Sequence, residues 1–246
     1  MRMQCRLLAS ETRIGRLFGR NYDRSVTDEG VPLLAVIDSE NDDGTTGDIV
    51  VRKLAEAREA LRRAAERSGD ALQEALLATL REAHQTMFTI PRGAPGSAGG
   101  SSVTLLACAG GTAVVVHVGD GRLYVKQDEG WVRKTTDHTM LEGTRAAGIA
   151  PTEASNIGWQ LGIITRVVGV VSKLEVDAFQ LPVNQRLTVL LCTRGAWMPL
   201  DPGGEAKPLP GSLDGADVAR FVWDRYVEDG ERDNATVVVA QLTPST

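Results

Sequence analysis

Apolar residues recur along the chain with two periods, and the switches between them mark its elements. VPLLAVID, residues 31–38, is a short apolar run ending in an acid, which predicts a buried strand that delivers Asp38 to a strand end. From Gly47 to Met87 the apolar positions Val50, Leu54, Ala57 and Leu61, then Leu72, Leu76, Leu77 and Leu80, follow helical spacing. Ser68-Gly69-Asp70 interrupts them, so two helices joined by a turn are expected, with Asp70 capping the second.

PRGAPGSAGGSS, residues 91–102, reads as a surface loop rather than an interdomain linker, because strands follow at once. SSVTLLACAGG, GTAVVVHVGDG, RLYVKQDEG and WVRKTT are β-rich runs punctuated by glycine, the pattern of a meander of hairpins. Met140 to Ala154 predicts a helix, and LTVLLCT at 187–193 a buried strand. Asp214 to Glu228 carries helical spacing through Val218, Phe221, Val222 and Tyr226, and ATVVVAQL at 235–242 predicts a closing strand of high β-propensity. Strands paired in hairpins, with helices grouped rather than alternating, predict one antiparallel α+β layered domain over residues 1–246.

Composition narrows the functional classes. With 42% hydrophobic and 24% charged residues the chain is an ordinary globular mixture, which argues against disorder. A net charge of −5 offers no basic face for nucleic acid. No apolar run is long enough to cross a membrane, and the apolar stretch near the N-terminus is too short for a signal peptide. Cys5, Cys108 and Cys192 are scattered and form no CxxC pair, which argues against a disulfide framework or a zinc site and suits the cytoplasm.

Four aspartates fall at predicted strand ends or tight turns: Asp38, Asp120 in HVGDGR, Asp137 in KTTDHT and Asp233 in ERDNATVVV. Each alone reads as a turn-capping acid. Together, at one edge of a sheet, they could share hard divalent cations. Among the histidines, His138 adjoins Asp137, whereas His84 and His117 read as structural.

These residues also carry a resemblance. VVVHVGDGRLYVKQDEGWVRKTTDHT resembles the core signature of the type 2C (metal-dependent, PPM) Ser/Thr protein phosphatases, and MLEGTRAAGIAPTEASNIGWQLGIITRVVG is similar to the flap of their bacterial members. DNATVVV resembles the family's closing motif, and LLAVIDS its first metal-binding strand. The resemblance implies a four-layer αββα sandwich of two antiparallel sheets flanked by helices, with a flap at about 139–169. It further implies Mg²⁺ or Mn²⁺ at one end, where a metal-activated water attacks a phosphoserine or phosphothreonine. Asp38 would bridge two metals, Ser39 would offer its backbone carbonyl, Asp233 would ligate one metal and Asp120 a third. Asp137, His138 and Asn234 would support them.

The departures concern charge. Arg194 in LTVLLCTRGAW stands where the family has a metal-binding aspartate. Two unit charges about 4 Å apart interact by roughly 4 kcal/mol at an effective dielectric of 20, and a divalent ion doubles this. An inward Arg194 would repel that ion, or pair with Asp38 and Asp233 in its place. The family's glycine loop is DSENDDGTTG, in which Asp42 or Asp43 is a candidate replacement ligand. The family's phosphate-contacting arginine falls at Phe18 in GRLFGRNYD, leaving Arg16 or Arg20 as possible phosphate contacts. The expectation is therefore a pseudophosphatase that binds a phosphorylated protein or a Ser/Thr kinase, with metal-dependent catalysis lost or reduced, and with Mg²⁺ or Mn²⁺ as cofactor if active and none otherwise. The alternatives are an active Mg/Mn-dependent Ser/Thr phosphatase with a remodelled site, and a non-catalytic scaffold that uses the flap surface.

Overall fold

The computed structural model of the chain describes residues 2–40, 44–91, 93–97, 99–148, 162–201 and 209–245. Two five-stranded antiparallel sheets form its centre. The first contains β1 (Arg2–Arg13), β10 (Ala235–Ser245), β9 (Leu187–Cys192), β6 (Arg122–Gln127) and β7 (Gly130–Arg133), in that order across the sheet. The second contains β2 (Arg24–Asp28), β3 (Leu33–Ser39), β4 (Ser101–Ala109), β5 (Thr112–Val118) and β8 (Asp177–Pro182). The long helices α1 (Thr45–Glu56), α2 (Arg58–Arg67) and α3 (Gly69–Phe88) cover the second sheet. The short α5 (Arg194–Trp197) and α6 (Ala216–Glu228) cover the first. This is the expected four-layer αββα sandwich.

The period-2 geometry of β3 explains why its sequence shows an unbroken apolar run rather than an alternation. Leu33, Ala35 and Ile37 pack against the helices with Leu54, Leu72 and Leu76. Leu34 and Val36 point the other way and meet Leu123, Val189, Leu191 and Val238 of the facing sheet. Both faces are buried, so both must be apolar. The same holds for β4 and β5.

Four details depart from expectation. The region from 47 to 87 folds as three helices, because a mild break at Ala57 separates α1 from α2. Ala57 itself keeps helical angles and its N–H still reaches Lys53 O, so periodicity alone does not reveal the break. The cap of α3 is Ser68, whose Oγ accepts from Ala71 N at 3.0 Å, and not Asp70. Asp70 instead accepts from Gln180 Nε2 at 2.7 Å and ties α3 to β8. The helix expected over 140–154 is α4 (Met140–Ala146), and residues 149–154 of that prediction lie outside the described residues. β1, β2 and β8 add to the expected strands. β1 alternates too irregularly to announce itself, and its pairing with β10 from Arg2↔Ser245 to Arg13↔Ala235 defines it. Among the described residues, no helix is long and apolar enough to cross a membrane.

Candidate metal centre

Strand ends of both sheets meet at one end of the sandwich. Asp38, near the end of β3, lies opposite Ser102 of β4. Ser102 Oγ donates to Asp120 Oδ1 at 3.2 Å and lies 3.5 Å from Glu40 Oε1. Asp120 occupies the turn from β5 to β6. Gly119 before it adopts φ +102°, and a Cβ there would run into Ser102, so the turn needs glycine on both counts. Glu40 leaves β3 with its N–H bonded to Gly100 O at 2.8 Å, which pins the start of the following loop. As a result, Asp38, Glu40 and Asp120 bring one carboxylate oxygen each within 4.8 Å of one another.

The first sheet supplies the other side. β9 and β10 are neighbours, with Val237 opposite Cys192, so the residue that follows Cys192 by two meets the turn that precedes β10. Arg194 Nε lies 3.8 Å from Asp233 Oδ2. Gly195 permits this approach, since a Cβ there would overlap Asn234 O. Beneath them Asp23 is buried and accepts from Thr193 Oγ1 at 2.6 Å and Thr236 Oγ1 at 2.8 Å. Trp197 Nε1 donates to Asp120 O at 2.7 Å, which fixes α5 to the Asp120 turn.

The electrostatics follow from crowding like charges in a poorly hydrated place. Lost hydration, then the charges of Asp23, Glu40, Asp120 and Asp233, hold the Asp38 carboxyl well above the usual carboxylate range. Burial pushes Asp120 up to about 6, against the attraction of Arg194. Asp23 is likewise raised to about 6 by burial, with Asp233 adding to it and its two threonine bonds opposing. Glu40 is raised to about 7 by lost hydration and then by Asp120; the residue keeps an exposed edge, so solvent screens part of this. Burial also raises Asp233, again against Arg194. The guanidinium is held firmly charged by Asp120, Asp233, Glu40 and Asp38, which outweigh its own partial burial.

Arg194 therefore faces the carboxylates, and its ion pair is with Asp233. The loop acid brought to Asp38 is Glu40; Asp42 and Asp43 lie outside the described residues. Ser39 turns its hydroxyl to α1, accepting from Gly47 N at 3.0 Å. Asn234 joins two segments, accepting from Gly15 N at 3.0 Å and donating to Arg20 O at 3.3 Å. Of the two candidate phosphate contacts, Arg16 pairs with Glu231 at 2.6 Å, and the exposed Arg20 makes no described side-chain contact with the carboxylates. Both sit on a loop held by Asn234, and the ion pair with Glu231 draws Arg16 to the turn before β10.

Asp137 serves a separate buried network. It accepts from Arg122 Nη2 at 2.6 Å, while Arg122 Nη1 donates to Asp201 at 2.9 Å and the guanidinium lies 3.4 Å from the Trp197 ring centroid. His138 Nδ1 accepts from Gly119 N at 3.1 Å, so its proton is on Nε2, 3.1 Å from Asp177 Oδ2. The root of the flap is thereby stapled to the Asp120 turn. His84 and His117 bond to Gly169 N and Thr104 Oγ1, away from the carboxylates. Sequence reasoning missed Glu40, Asp23 and Arg122. Glu40 follows Asp38 by two, the strand spacing that returns a side chain to the same face, and this signal could have found it.

No family model matches the chain. The serine/threonine phosphatase stp of Listeria innocua is 35% identical over 99 residues, which are 39% of this chain and 39% of that relative. The Mycobacterium tuberculosis serine/threonine phosphatase PstP/Ppp superposes with a TM-score of 0.77 at 24% identity, covering 97% of each chain. The catalytic domain of PstP in complex with two manganese ions superposes with a TM-score of 0.74 at 23% identity, covering 98% of this chain and all of that one. The likeness to bacterial type 2C serine/threonine phosphatases thus holds in sequence over part of the chain and in fold over nearly all of it.

Proposed function

We propose that this type 2C phosphatase fold is a metal-dependent phosphatase acting on phosphoserine or phosphothreonine in proteins, with Asp38, Glu40 and Asp120 as its principal cation site. The observation that carries this reading is the convergence of those three carboxylates within 4.8 Å. Their chemistry fits a hard divalent cation such as Mg²⁺ or Mn²⁺, which prefers oxygen ligands. All three carboxyls have raised proton affinity, chiefly from lost hydration and, for Asp38 and Glu40, also from neighbouring carboxylates, and a bound cation would offset that cost. The ion would polarise a phosphoryl oxygen and lower the pKa of a bound water.

The chain's own residues prepare the site. Ser102 holds Asp120 and Glu40 side by side, His138 and Gly119 fix the turn that presents Asp120, and Asp23 anchors Thr193 beneath Arg194. Arg194 removes one carboxylate from the family pattern, and this was the ground for expecting lost catalysis. Glu40 supplies a carboxylate in return, so the count of acids near Asp38 is maintained by a different residue. The phosphatase relatives and the two manganese ions bound to PstP favour the active reading. The substrate class is then a phosphorylated protein, a Ser/Thr kinase included. A cytoplasmic setting fits the three unpaired cysteines.

The test is turnover of a phosphothreonine peptide across a Mn²⁺ titration, with Asp38→Ala and Glu40→Gln alongside. The expected result is metal-dependent turnover that Asp38→Ala abolishes, with an apparent Mn²⁺ affinity about tenfold weaker in Glu40→Gln. Absence of turnover together with absence of Mn²⁺ binding would reinstate a non-catalytic phosphoprotein binder. An unchanged Mn²⁺ affinity in Glu40→Gln would remove Glu40 from the site.

A further inference from the structure

The Arg194 guanidinium has more hydrogen-bonding capacity than the protein uses. Its Nε stands 3.8 Å from Asp233 Oδ2, beyond hydrogen-bond length, and the side chain keeps 38% of its surface exposed. It donates no hydrogen bond to a described residue. Five N–H groups in a rigid fork are therefore presented at the mouth of the acidic site.

Beside that fork lies an open pocket of about 410 Å³. Glu40 and Arg194 form its polar end, and Ile163, Ile164, Val167 and Val170 its apolar side. Ile163 and Val170 are 41% and 51% exposed, so apolar surface faces the opening. The wall is anchored: Ser101 and Val168 exchange backbone hydrogen bonds at 3.0 Å, and Met140 N bonds Ile163 O at 3.0 Å. One cationic end and one aliphatic wall, side by side, are complementary to an anion carried next to an apolar side chain.

Several arginines nearby already have acidic partners: Arg122 pairs with Asp137 and Asp201, Arg24 with Asp48 and two backbone carbonyls, and Arg16 with Glu231. At Phe18, where an arginine would be expected to contact phosphate, the ring is exposed and packs edge-on against Tyr22. A phosphate dianion approaching Asp38, Glu40, Asp120 and Asp233 needs a fixed positive charge, and Arg194 supplies it.

We propose that Arg194 grips the phosphate of the substrate, and that the adjoining pocket takes an aliphatic side chain within two positions of the phosphorylated residue. Two residues of extended chain span about 7 Å, so a side chain one or two positions from the phosphorylated residue stays close to a phosphate held by Arg194. The fork binds two phosphate oxygens at once, as guanidinium groups do with planar or tetrahedral oxyanions. This rests on the phosphoprotein reading above but not on turnover.

The experiment measures binding of three labelled peptides in the presence of Mn²⁺. One carries a non-hydrolysable phosphonate analogue of phosphothreonine beside isoleucine, the second the same analogue beside aspartate, and the third unmodified threonine beside isoleucine. Arg194→Met is expected to weaken the first about tenfold or more, the loss of a charge-assisted contact, and to leave the third unchanged. Arg194→Lys recovers part of the loss, and Val170→Asp reduces the preference for isoleucine over aspartate. Mn²⁺ affinity, measured separately, does not fall in Arg194→Met. Unchanged phosphonate affinity in Arg194→Met, or a fall in Mn²⁺ affinity that parallels the loss, would overturn the proposal. Phosphonate binding that depends on Arg194 in a wild-type protein without turnover would uphold it and refute only the hydrolytic reading.

Discussion

Replacing Asp120 by asparagine removes one charge from a buried cluster of like charges, and it is expected to stabilise the protein in EDTA at neutral pH. Asp120 is 1% exposed, and its carboxyl titrates at about 6 in the folded chain against an ordinary value of 3.8. The folded-state pKa is the higher one, so the contribution is favourable at low pH and is lost as the pH rises from about 4 through about 6. Each tenfold difference in proton affinity is worth about 1.4 kcal/mol, so ionised Asp120 costs about 3 kcal/mol at pH 7.5. That net figure already includes the attraction of Arg194. Asparagine keeps an acceptor for Ser102 Oγ and carries no charge. For a chain of this size the gain corresponds to a rise in Tm of about 5–10 °C. The assay is thermal unfolding of both proteins at pH 4.5 and 7.5, in EDTA and in excess Mn²⁺. In EDTA the variant melts higher at pH 7.5 and near the wild type at pH 4.5; in Mn²⁺ the wild type gains stability and the variant gains far less. A variant that melts lower than the wild type in EDTA at pH 7.5 would refute the claim that the lost hydration of the Asp120 carboxylate outweighs the attraction of Arg194.

Two further outcomes follow from packing. Arg122→Ala leaves Asp137 and Asp201 buried without their guanidinium and is expected to destabilise the protein by about 3–5 kcal/mol in denaturant unfolding; Arg122→Lys rescues only part, because an ammonium cannot span both acids. Gly195→Ala places a Cβ against Asn234 O and is expected to cost about 2 kcal/mol or more, with phosphonate-peptide binding reduced in step as Arg194 is displaced from Asp233.

What the sequence determined by itself is what depends on nearest neighbours along the chain. The unbroken apolar run of residues 31–38 specifies a strand buried on both faces, and its last residues place Asp38 at the sheet edge. Glycines around Asp120 specify a tight turn, and the strand LTVLLCT ends where Arg194 begins. Motif order was enough to anticipate two sheets with flanking helices. Tertiary structure decided which charges meet. Glu40 shares a face with Asp38 by strand spacing, but its meeting with Asp120 depends on the tie from its N–H to Gly100 O across the sheet, a contact between residues 60 apart in sequence. Arg194 finds Asp233 because β9 and β10 pair in the register that sets Cys192 opposite Val237. Asp23, 170 residues from Thr193, is drawn beneath the site by hydrogen bonds that no local pattern encodes. The arginine at 194 was legible as a substitution from the chain alone. That it faces the acids with its hydrogen-bond donors unused, beside an aliphatic wall, follows only from the packing of the two sheets and the flap root against each other.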